Sequence, residues 1–280
     1  MPVRFWGALG RLTPILNQLV RVWPFVIVSL TLGCTLSIPI PAAPTATPPP
    51  SPVDTAGWVA LAPGLERRTY APRPNNGLTQ LNVVRIDPAH FTFRAHYRPG
   101  SGLGLTGWRD TLTNAAAFVN ANFFDPQAMA IGLVVSDGVA SGQTLSGRGG
   151  MFQRVGDELR VRSLIAEPYN GEPLEQAVQA FPMLVTNGQA SYNNLADTDV
   201  SRRTVVAQDS SGRILLMATS LIGLTLSELS AFLASSDLAI VNALNLDGGG
   251  STMLYVGVGN APIHITSFDA VPVVLAVYPR

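Results

Sequence analysis

The chain has 280 residues, and its 18 basic side chains balance 18 acidic ones, so the formal net charge is zero. This balance gives no electrostatic reason to bind nucleic acid or an anionic membrane surface. An apolar share of 47% with only 13% charged residues argues against disorder. All the basic residues are arginines, which excludes the phosphate-binding nucleotide loop, because that motif requires a lysine directly after its glycines.

Three N-terminal arginines precede a short apolar run at 25–33, and Cys34 follows directly. This order is typical of a secretory signal, and the run is shorter than the about 20 residues of a membrane-spanning helix. Residues 31–34 resemble a bacterial lipoprotein cleavage box, with Thr31 where leucine is usual. We therefore predict a lipoprotein-type signal peptide at 1–33. An ordinary signal peptide and an uncleaved anchor are the alternatives.

Residues 34–53 join Cys34 to a stretch rich in proline, alanine, threonine and serine. Such a stretch cannot bury a core and forms an extended spacer. Cys34 is the single cysteine of the chain, so an internal disulfide is excluded. We predict that a lipidated Cys34 and this linker hold a folded domain, residues 54–280, off the membrane and outside the cytoplasm.

The domain begins with short segments of strand character around turns. Residues 81–86 and 91–97 are predicted strands on either side of an Asp-Pro turn, and 106–114 is a predicted short helix leading into an apolar strand at 115–124. Hairpins are predicted where Asp-Gly, Asn-Gly or similar turn residues separate two strand-like runs. These hairpins span 132–141, 151–162, 182–190 and 204–218.

A second helix is well marked. Thr225 and Glu228 form a capping box, and the residues after them repeat their apolar side chains at helical spacing. Residues 271–278 are a predicted final strand. The expected fold class is α+β, with a mixed or largely antiparallel twisted sheet built of hairpins and a few flanking helices.

The most unusual string is 242–254, in which an apolar run leads into Asp247, three glycines and Ser251. Consecutive glycines let a backbone approach a ligand closely and direct several N–H groups at one anion. A flexible turn between two core strands is the alternative. We favour a ligand-binding loop, because three glycines inside an apolar stretch cost conformational entropy.

Two further strings carry chemistry. Residues 120–126 place Asn120 and Asn122 beside two phenylalanines, a set suited to sugar recognition, although core rings and turn-forming asparagines explain these residues slightly better on their own. Arg202 and Arg203 precede an apolar strand, so at least one guanidinium can face a phosphate or carboxylate rather than solvent.

Metal ligands are not clustered along the chain. His90 and His96 flank a predicted turn, His264 stands alone, and Asp197 and Asp199 lack partners at metal-ligand spacing. We predict no metal site and no cofactor.

Taken in order, these strings resemble the phosphodiester glycosidase family. The resemblance covers roughly 120–256, and its most specific part is the string 243–251; Ala121 and Asn122 stand where the family has a glycine pair. Its other parts are Asn120 to Phe124, Gly132-Leu133 with Gly138, Gly150 to Phe152, Gln179 to Pro182 with Asn187-Gly188, and Arg202 to Thr204.

The resemblance implies a hydrolase that releases a sugar from a sugar-1-phosphodiester on a cell-envelope or extracellular glycan. It implies that Asp247 is the catalytic carboxylate and that Arg203 is the catalytic residue that binds the phosphate. The substrate-binding residues it implies are Asn120, Asn122 and Gln179 for the sugar, and Gly248, Gly249, Gly250 and Ser251 for the phosphate. Glycosidases commonly use a second acid, and Asp125, Glu172 and Glu175 remain open for that role.

Two other readings stay open. A carbohydrate-binding lipoprotein on the same fold, acting in exopolysaccharide assembly, would need neither Asp247 nor Arg203. An ordinary hydrolase of glycosides or phosphoesters is the second, and the phosphoesterase form of it would normally require a metal cluster. The sugar, the group beyond the phosphate and the oligomeric state are not predicted.

Overall fold

A computed structural model describes residues 53–54, 57–194, 196–260 and 262–280. The predicted signal peptide, Cys34 and nearly all of the linker lie outside the described residues. No helix in the described part of the chain combines the length and apolar character that a membrane crossing requires.

The described residues form 19 strands and two α-helices. The strands are β1 Val53–Asp54, β2 Val59–Ala62, β3 Leu65–Ala71, β4 Leu81–Ile86, β5 Phe91–Tyr97, β6 Ala117–Asn120, β7 Val134–Ser136, β8 Val139–Ser141, β9 Gly150–Val155, β10 Glu158–Ser163, β11 Gln176–Ala180, β12 Met183–Thr186, β13 Gln189–Ala190, β14 Thr204–Asp209, β15 Ile214–Thr219, β16 Ile240–Asn245, β17 Leu254–Val256, β18 Ile263–Ile265 and β19 Val273–Pro279. The helices are α1 Leu105–Thr111 and α2 Leu226–Ser235, and a single 3-10 turn spans Gly249–Ser251.

The strands form three sheets. The first has the order β1-β3-β4-β15-β14-β16-β12-β13, with β2 also paired to β3. The second has the order β10-β9-β11-β7-β8, and the third β18-β17-β6-β19-β5. Every pairing among these strands is antiparallel. The antiparallel, hairpin-built part of the predicted fold class is therefore confirmed, but with two helices in the described residues the structure is largely β rather than α+β.

The turn chemistry placed the hairpins correctly. Asp137 and Gly138 both have positive φ, at 50° and 79°, as do Asn187 and Gly188, at 51° and 77°. Such pairs match the twist of antiparallel strands, so the loops close tightly. The capping box of α2 is also present, since Thr225 and Glu228 bond reciprocally. The two strands around the Asp-Pro turn are confirmed as elements, and they belong to different sheets.

A shared core explains the apolar runs that show little alternation. Inward-facing residues of all three sheets form one cluster, which includes Phe93, Phe152 and Leu244. The opposite face of the first sheet is covered by α2, and that of the third sheet by α1. Because the central strands are buried on both faces, apolar residues occupy consecutive positions in them.

One loop, residues 246–253, joins the first sheet to the third. It leaves β16 after Asn245 and enters β17 at Leu254. Both strands are anchored in the shared core, which fixes the two ends of the loop.

Leu244 offers a test of this anchoring. It is fully buried in β16, so Leu244→Ala leaves a cavity, and we expect a loss of about 2–5 kcal/mol in the free energy of unfolding. Urea denaturation measures this loss. Leu221→Ala is the matched control, because Leu221 is 72% exposed and its change should stay within about 0.5 kcal/mol. Equal effects at the two sites would contradict the packing described.

Candidate functional site

The loop 246–253 is held by backbone and side-chain bonds from β14 and from the end of β6. Leu246 N–H donates to Thr204 O, and Asp247 N–H donates to Ala121 O, each at 2.9 Å. The Asn120 amide donates to Asp247 O at 2.6 Å. Its Oδ1 accepts from the Thr204 hydroxyl at 2.8 Å and from Met253 N–H at 2.9 Å. Asn120 therefore ties the loop to β6 and β14 at once.

Two of the loop glycines are required by the backbone. A Cβ on Gly248 would lie 2.7 Å from Arg202 O, closer than a carbon atom can approach. Gly249 has a φ of 59°, which residues with a side chain rarely adopt, and its N–H donates to Arg202 O at 2.8 Å. These glycines let the loop pass directly against the segment that carries the two arginines.

The Asp247 carboxylate sits at the head of this loop and is largely buried. Its Oδ1 accepts from Gly248 N–H at 2.9 Å, and the Ser251 hydroxyl also donates to it. Desolvation nevertheless dominates and, helped by the negative charge of Asp269, raises the pKa of Asp247 to about 6. A carboxyl group with such a pKa changes charge near neutral pH, which is common at functional sites.

Arg203 is 7% exposed and is fixed by acceptors on one side. Its Nε donates to Leu224 O at 2.8 Å and its Nη2 to Asp199 O at 2.6 Å, with the Asp199 carboxylate 3.4 Å away. Burial lowers the pKa of the guanidinium below its ordinary value, against the pull of Asp199. Nη1 has no partner within the described part of the chain, so it remains available to a ligand.

Asp247 and Arg203 line one cavity of about 490 Å³. Its remaining walls come from the loop glycines, α2 and the segment before β12; they are Phe123, Phe181, Pro182, Tyr192, Asp199, Ser201, Leu226, Asn245, Gly248 and Gly249. Phe123 and Phe181 stack with centroids 4.5 Å apart. A carboxylate, a guanidinium and an aromatic wall thus face the same space, a set suited to a sugar that carries an anion.

Several predicted binding residues serve the framework of this cavity rather than its wall. Asn120, Asn122 and Gln179 are each at most 2% exposed and do not line it. Asn122 donates to Leu133 O, and Gln179 bonds the backbone of Leu133 and Leu145. Direct sugar contacts from Asn120 and Gln179 would need these amides to leave the partners they hold. The Oδ1 of Asn122 has no partner among the described residues, but it is buried and Asn122 does not line the cavity.

The glycine loop also uses its donors differently from the predicted anion cradle. Gly248 N–H serves the Asp247 carboxylate and Gly249 N–H serves Arg202 O. The hydroxyl of Ser251 is directed to Asp247, and Gly250 does not line the cavity. In this conformation the loop presents its carboxylate to the cavity, while Arg203 supplies the free cationic donor.

The three candidates for a second acid lie elsewhere. Asp125 accepts from Gln127 and Met129 in its own turn, Glu172 pairs with Arg162, and Glu175 pairs with Arg154 at 2.8 Å. None of the three lines the cavity. The acids near Asp247 are Asp199, which lines the cavity, and Asp269, whose charge acts on Asp247 from beside Gly250.

Asn245 is a cavity residue that the sequence reasoning passed over. It is 3% exposed, its amide donates to Phe181 O at 3.0 Å, and its buried Oδ1 has no partner among the described residues. The signal was present, because alternation along a strand puts positions 245 and 247 on one side and buries Leu246 on the other. Phe181 and Tyr192 gave no comparable local signal.

A second cavity, of about 550 Å³, lies at the β2–β3 hairpin and includes Arg85, Asp87 and Arg213. Its arginines are already paired, Arg85 with Glu66 at 3.0 Å and Arg213 with Asp209 at 2.7 Å, so we do not place the chemistry there. Among the described residues, no three histidine, cysteine, aspartate or glutamate side chains group in a way that could hold a metal ion.

The raised pKa of Asp247 has a consequence for stability. Its folded-state pKa of about 6 exceeds the ordinary 3.8, so the stabilisation is complete below 3.8 and is lost as the pH rises through 6. The difference between a pKa of 3.8 and one of about 6 corresponds to about 3 kcal/mol. We expect Asp247→Asn to exceed the wild type in free energy of unfolding by up to that amount near pH 8, and to match it near pH 4.

Urea denaturation at a series of pH values measures this difference. Asp125→Asn makes the same chemical change in a turn outside the cavity and is the control for the loss of one carboxylate. A constant difference between Asp247→Asn and wild type at all pH values would refute the buried-carboxylate description.

Solved structures that share this fold include the following three. The zebrafish N-acetylglucosamine-1-phosphodiester alpha-N-acetylglucosaminidase catalytic domain, auto-inhibited by its pro-peptide, has a TM-score of 0.60 and 19% identity, over 82% of this chain and 88% of that chain. A hypothetical protein from Synechocystis gives 0.53 and 17%, over 77% and 62%. A putative exported protein from Burkholderia pseudomallei gives 0.54 and 14%, over 72% and 74%. No curated protein sequence matches the chain.

The sequence model of the phosphodiester glycosidase family matches residues 113–278, which is more than half of the chain. The match includes Asp247, Arg203 and every residue that lines the cavity between them. The chain belongs to the phosphodiester glycosidase family.

Proposed function

We propose that the protein is a hydrolase that releases a sugar from a sugar-1-phosphodiester. The observation that carries this proposal is the pairing, in one cavity, of a desolvated carboxylate at Asp247 with a guanidinium whose Nη1 is free at Arg203. The family membership and the shared fold of a known phosphodiester glycosidase support it.

The nature of the leaving group explains why a single catalytic carboxylate is enough for this reaction. A phosphodiester departs as an acidic phosphate, so it needs less proton donation than the alkoxide of an ordinary glycoside. Catalysis then depends on stabilising the oxocarbenium-like centre and holding the phosphate. Water adds to the anomeric carbon and the bond from that carbon to the phosphate oxygen breaks, so that a phosphate monoester leaves. The proton that the water loses goes to the departing phosphate or to solvent.

The residues divide these tasks. Ionised Asp247 acts at the anomeric carbon, where its negative charge stabilises the positive charge that develops there. Arg203 binds the phosphate through Nη1, since Nε and Nη2 are held by Leu224 and Asp199. Phe123 and Phe181 cover the apolar face of the sugar.

We further propose that the substrate is a glycan outside the cytoplasm, with the protein tethered by Cys34 as a lipoprotein. The N-terminal pattern of basic residues, apolar run, cysteine and proline-rich spacer supports this location. The group beyond the phosphate then belongs to an envelope or secreted polymer.

A substrate panel tests the function. The purified protein is incubated with sugar-1-phosphodiesters, matched aryl glycosides and phosphate monoesters, with and without chelator. We expect free sugar from the phosphodiesters alone, unaffected by chelator. Sugar binding without turnover of any compound would instead favour the carbohydrate-binding lipoprotein.

Asp247→Asn removes the proposed catalytic carboxylate. We expect a fall in kcat of about 10²–10⁴-fold, while the variant stays folded and is more stable above pH 6. In the wild type, kcat/KM should rise with pH through about 6, because the ionised form is required. Full turnover in Asp247→Asn, beside an equally active Asp125→Asn control, would overturn the assignment.

Arg203→Lys tests the phosphate contact. Lysine keeps the positive charge but loses the planar fork that Leu224 and Asp199 hold in place. We expect kcat/KM for the phosphodiester to fall about 10–100-fold. Arg213→Lys is the control, since Arg213 pairs with Asp209 at 2.7 Å outside this cavity. Unchanged kinetics in Arg203→Lys would rule out the contact.

A further inference from the structure

A groove of about 570 Å³ adjoins the cavity of Asp247 and shares Phe181, Pro182 and Tyr192 with it. Ile165, which is 66% exposed, and Met183 contribute to its largely apolar surface. Because these residues line both spaces, a ligand that fills the cavity and extends past them enters the groove.

Arg148 is the one charged residue that lines the groove. Its Cζ lies 4.0 Å from the ring centroid of Phe181, and the side chain is exposed. Arg148 forms no ion pair within the part of the chain that the structure describes, and no carboxylate lines the groove beside it. The groove therefore carries one uncompensated positive charge next to the candidate catalytic cavity.

The position of Arg148 is built into the fold. Fully buried Gln179 accepts from Leu145 N–H at 3.0 Å and donates to Leu145 O at 2.6 Å, which fixes the loop that leads to Arg148. On the other side, Gly149 O accepts from Leu164 N–H at 3.1 Å. The Arg148 guanidinium lies over Phe181, and Phe181 itself stacks on Phe123 in the cavity.

We propose that this groove binds the portion of the substrate beyond the scissile phosphodiester, and that Arg148 binds a second phosphate group there. The proposal rests on the proposed function and narrows its substrate class to oligomers or polymers with repeated phosphodiester groups. The sugar and the scissile phosphate occupy the cavity, while the next unit extends past Phe181, Pro182 and Tyr192 into the groove. An apolar surface with one free guanidinium fits a unit that carries a single anionic group.

Two substrates that share one sugar-1-phosphodiester test this subsite. One has a methyl aglycone, and the other has an aglycone that carries a further phosphodiester. We expect Arg148→Gln to lower kcat/KM about tenfold for the second substrate and to leave the first unchanged. Arg148→Lys should retain part of the preference for the second substrate. In the wild type, high salt should reduce the difference between the kcat/KM values of the two substrates.

Arg98→Gln is the control, because Arg98 is also exposed and lines neither cavity. Equal ratios of the two kcat/KM values in wild type and Arg148→Gln would overturn the subsite while the proposed function stands. If the wild type hydrolyses neither substrate, the proposed function fails. Calorimetry with the doubly phosphorylated compound then decides the subsite, since unchanged affinity in Arg148→Gln would contradict it.

Discussion

The burial of the Asp247 carboxylate is the constraint around which the rest of the site is arranged. Desolvation disfavours its charge, and two donors, Gly248 N–H and the Ser251 hydroxyl, only partly offset that cost. The fold tolerates this desolvation cost because the loop is bonded at both ends to strands in the shared core. A carboxyl group destabilised in this way is poised to act on a positive centre that forms in front of it.

This constraint gives the buried amides their roles. Asn120 bonds the loop on both sides, through Asp247 O and Met253 N–H, and Gln179 bonds the segment that leads to the neighbouring groove. A site held by side chains whose partners are fixed keeps its geometry without ligand. These buried amides therefore fix the shape of the site.

Much of the fold followed from local chemistry. The Asp137-Gly138 and Asn187-Gly188 turns and the Thr225 capping box each depend on a few neighbouring residues, so their structures could be predicted from sequence. The separation of the strands into three sheets depends on contacts between distant residues, which no local pattern encodes. The three sheets cover one another's inner faces in one shared core, so fewer helices are needed to cover that core than in an α+β fold.

The candidate site divides in the same way. Asp247 and Arg203 stood out because of the residues beside them, and the structure places both in one cavity. The hydrogen-bonding roles of Asn120 and of the loop N–H groups could not be predicted from the neighbouring sequence, since their partners lie up to 133 residues away. Phe181 and Tyr192 reach the cavity from segments whose approach is set by β12 and α2.

The ionisation of Asp247 tests this account most directly. In a protein labelled with carbon-13, the side-chain carboxyl signal of Asp247, assigned by its loss in Asp247→Asn, can be followed across the acid and neutral range. We expect a midpoint of about 6 for this signal. A midpoint near 3.8, the ordinary value for aspartate, would show a solvated carboxylate and contradict the claim that burial prepares this group for catalysis.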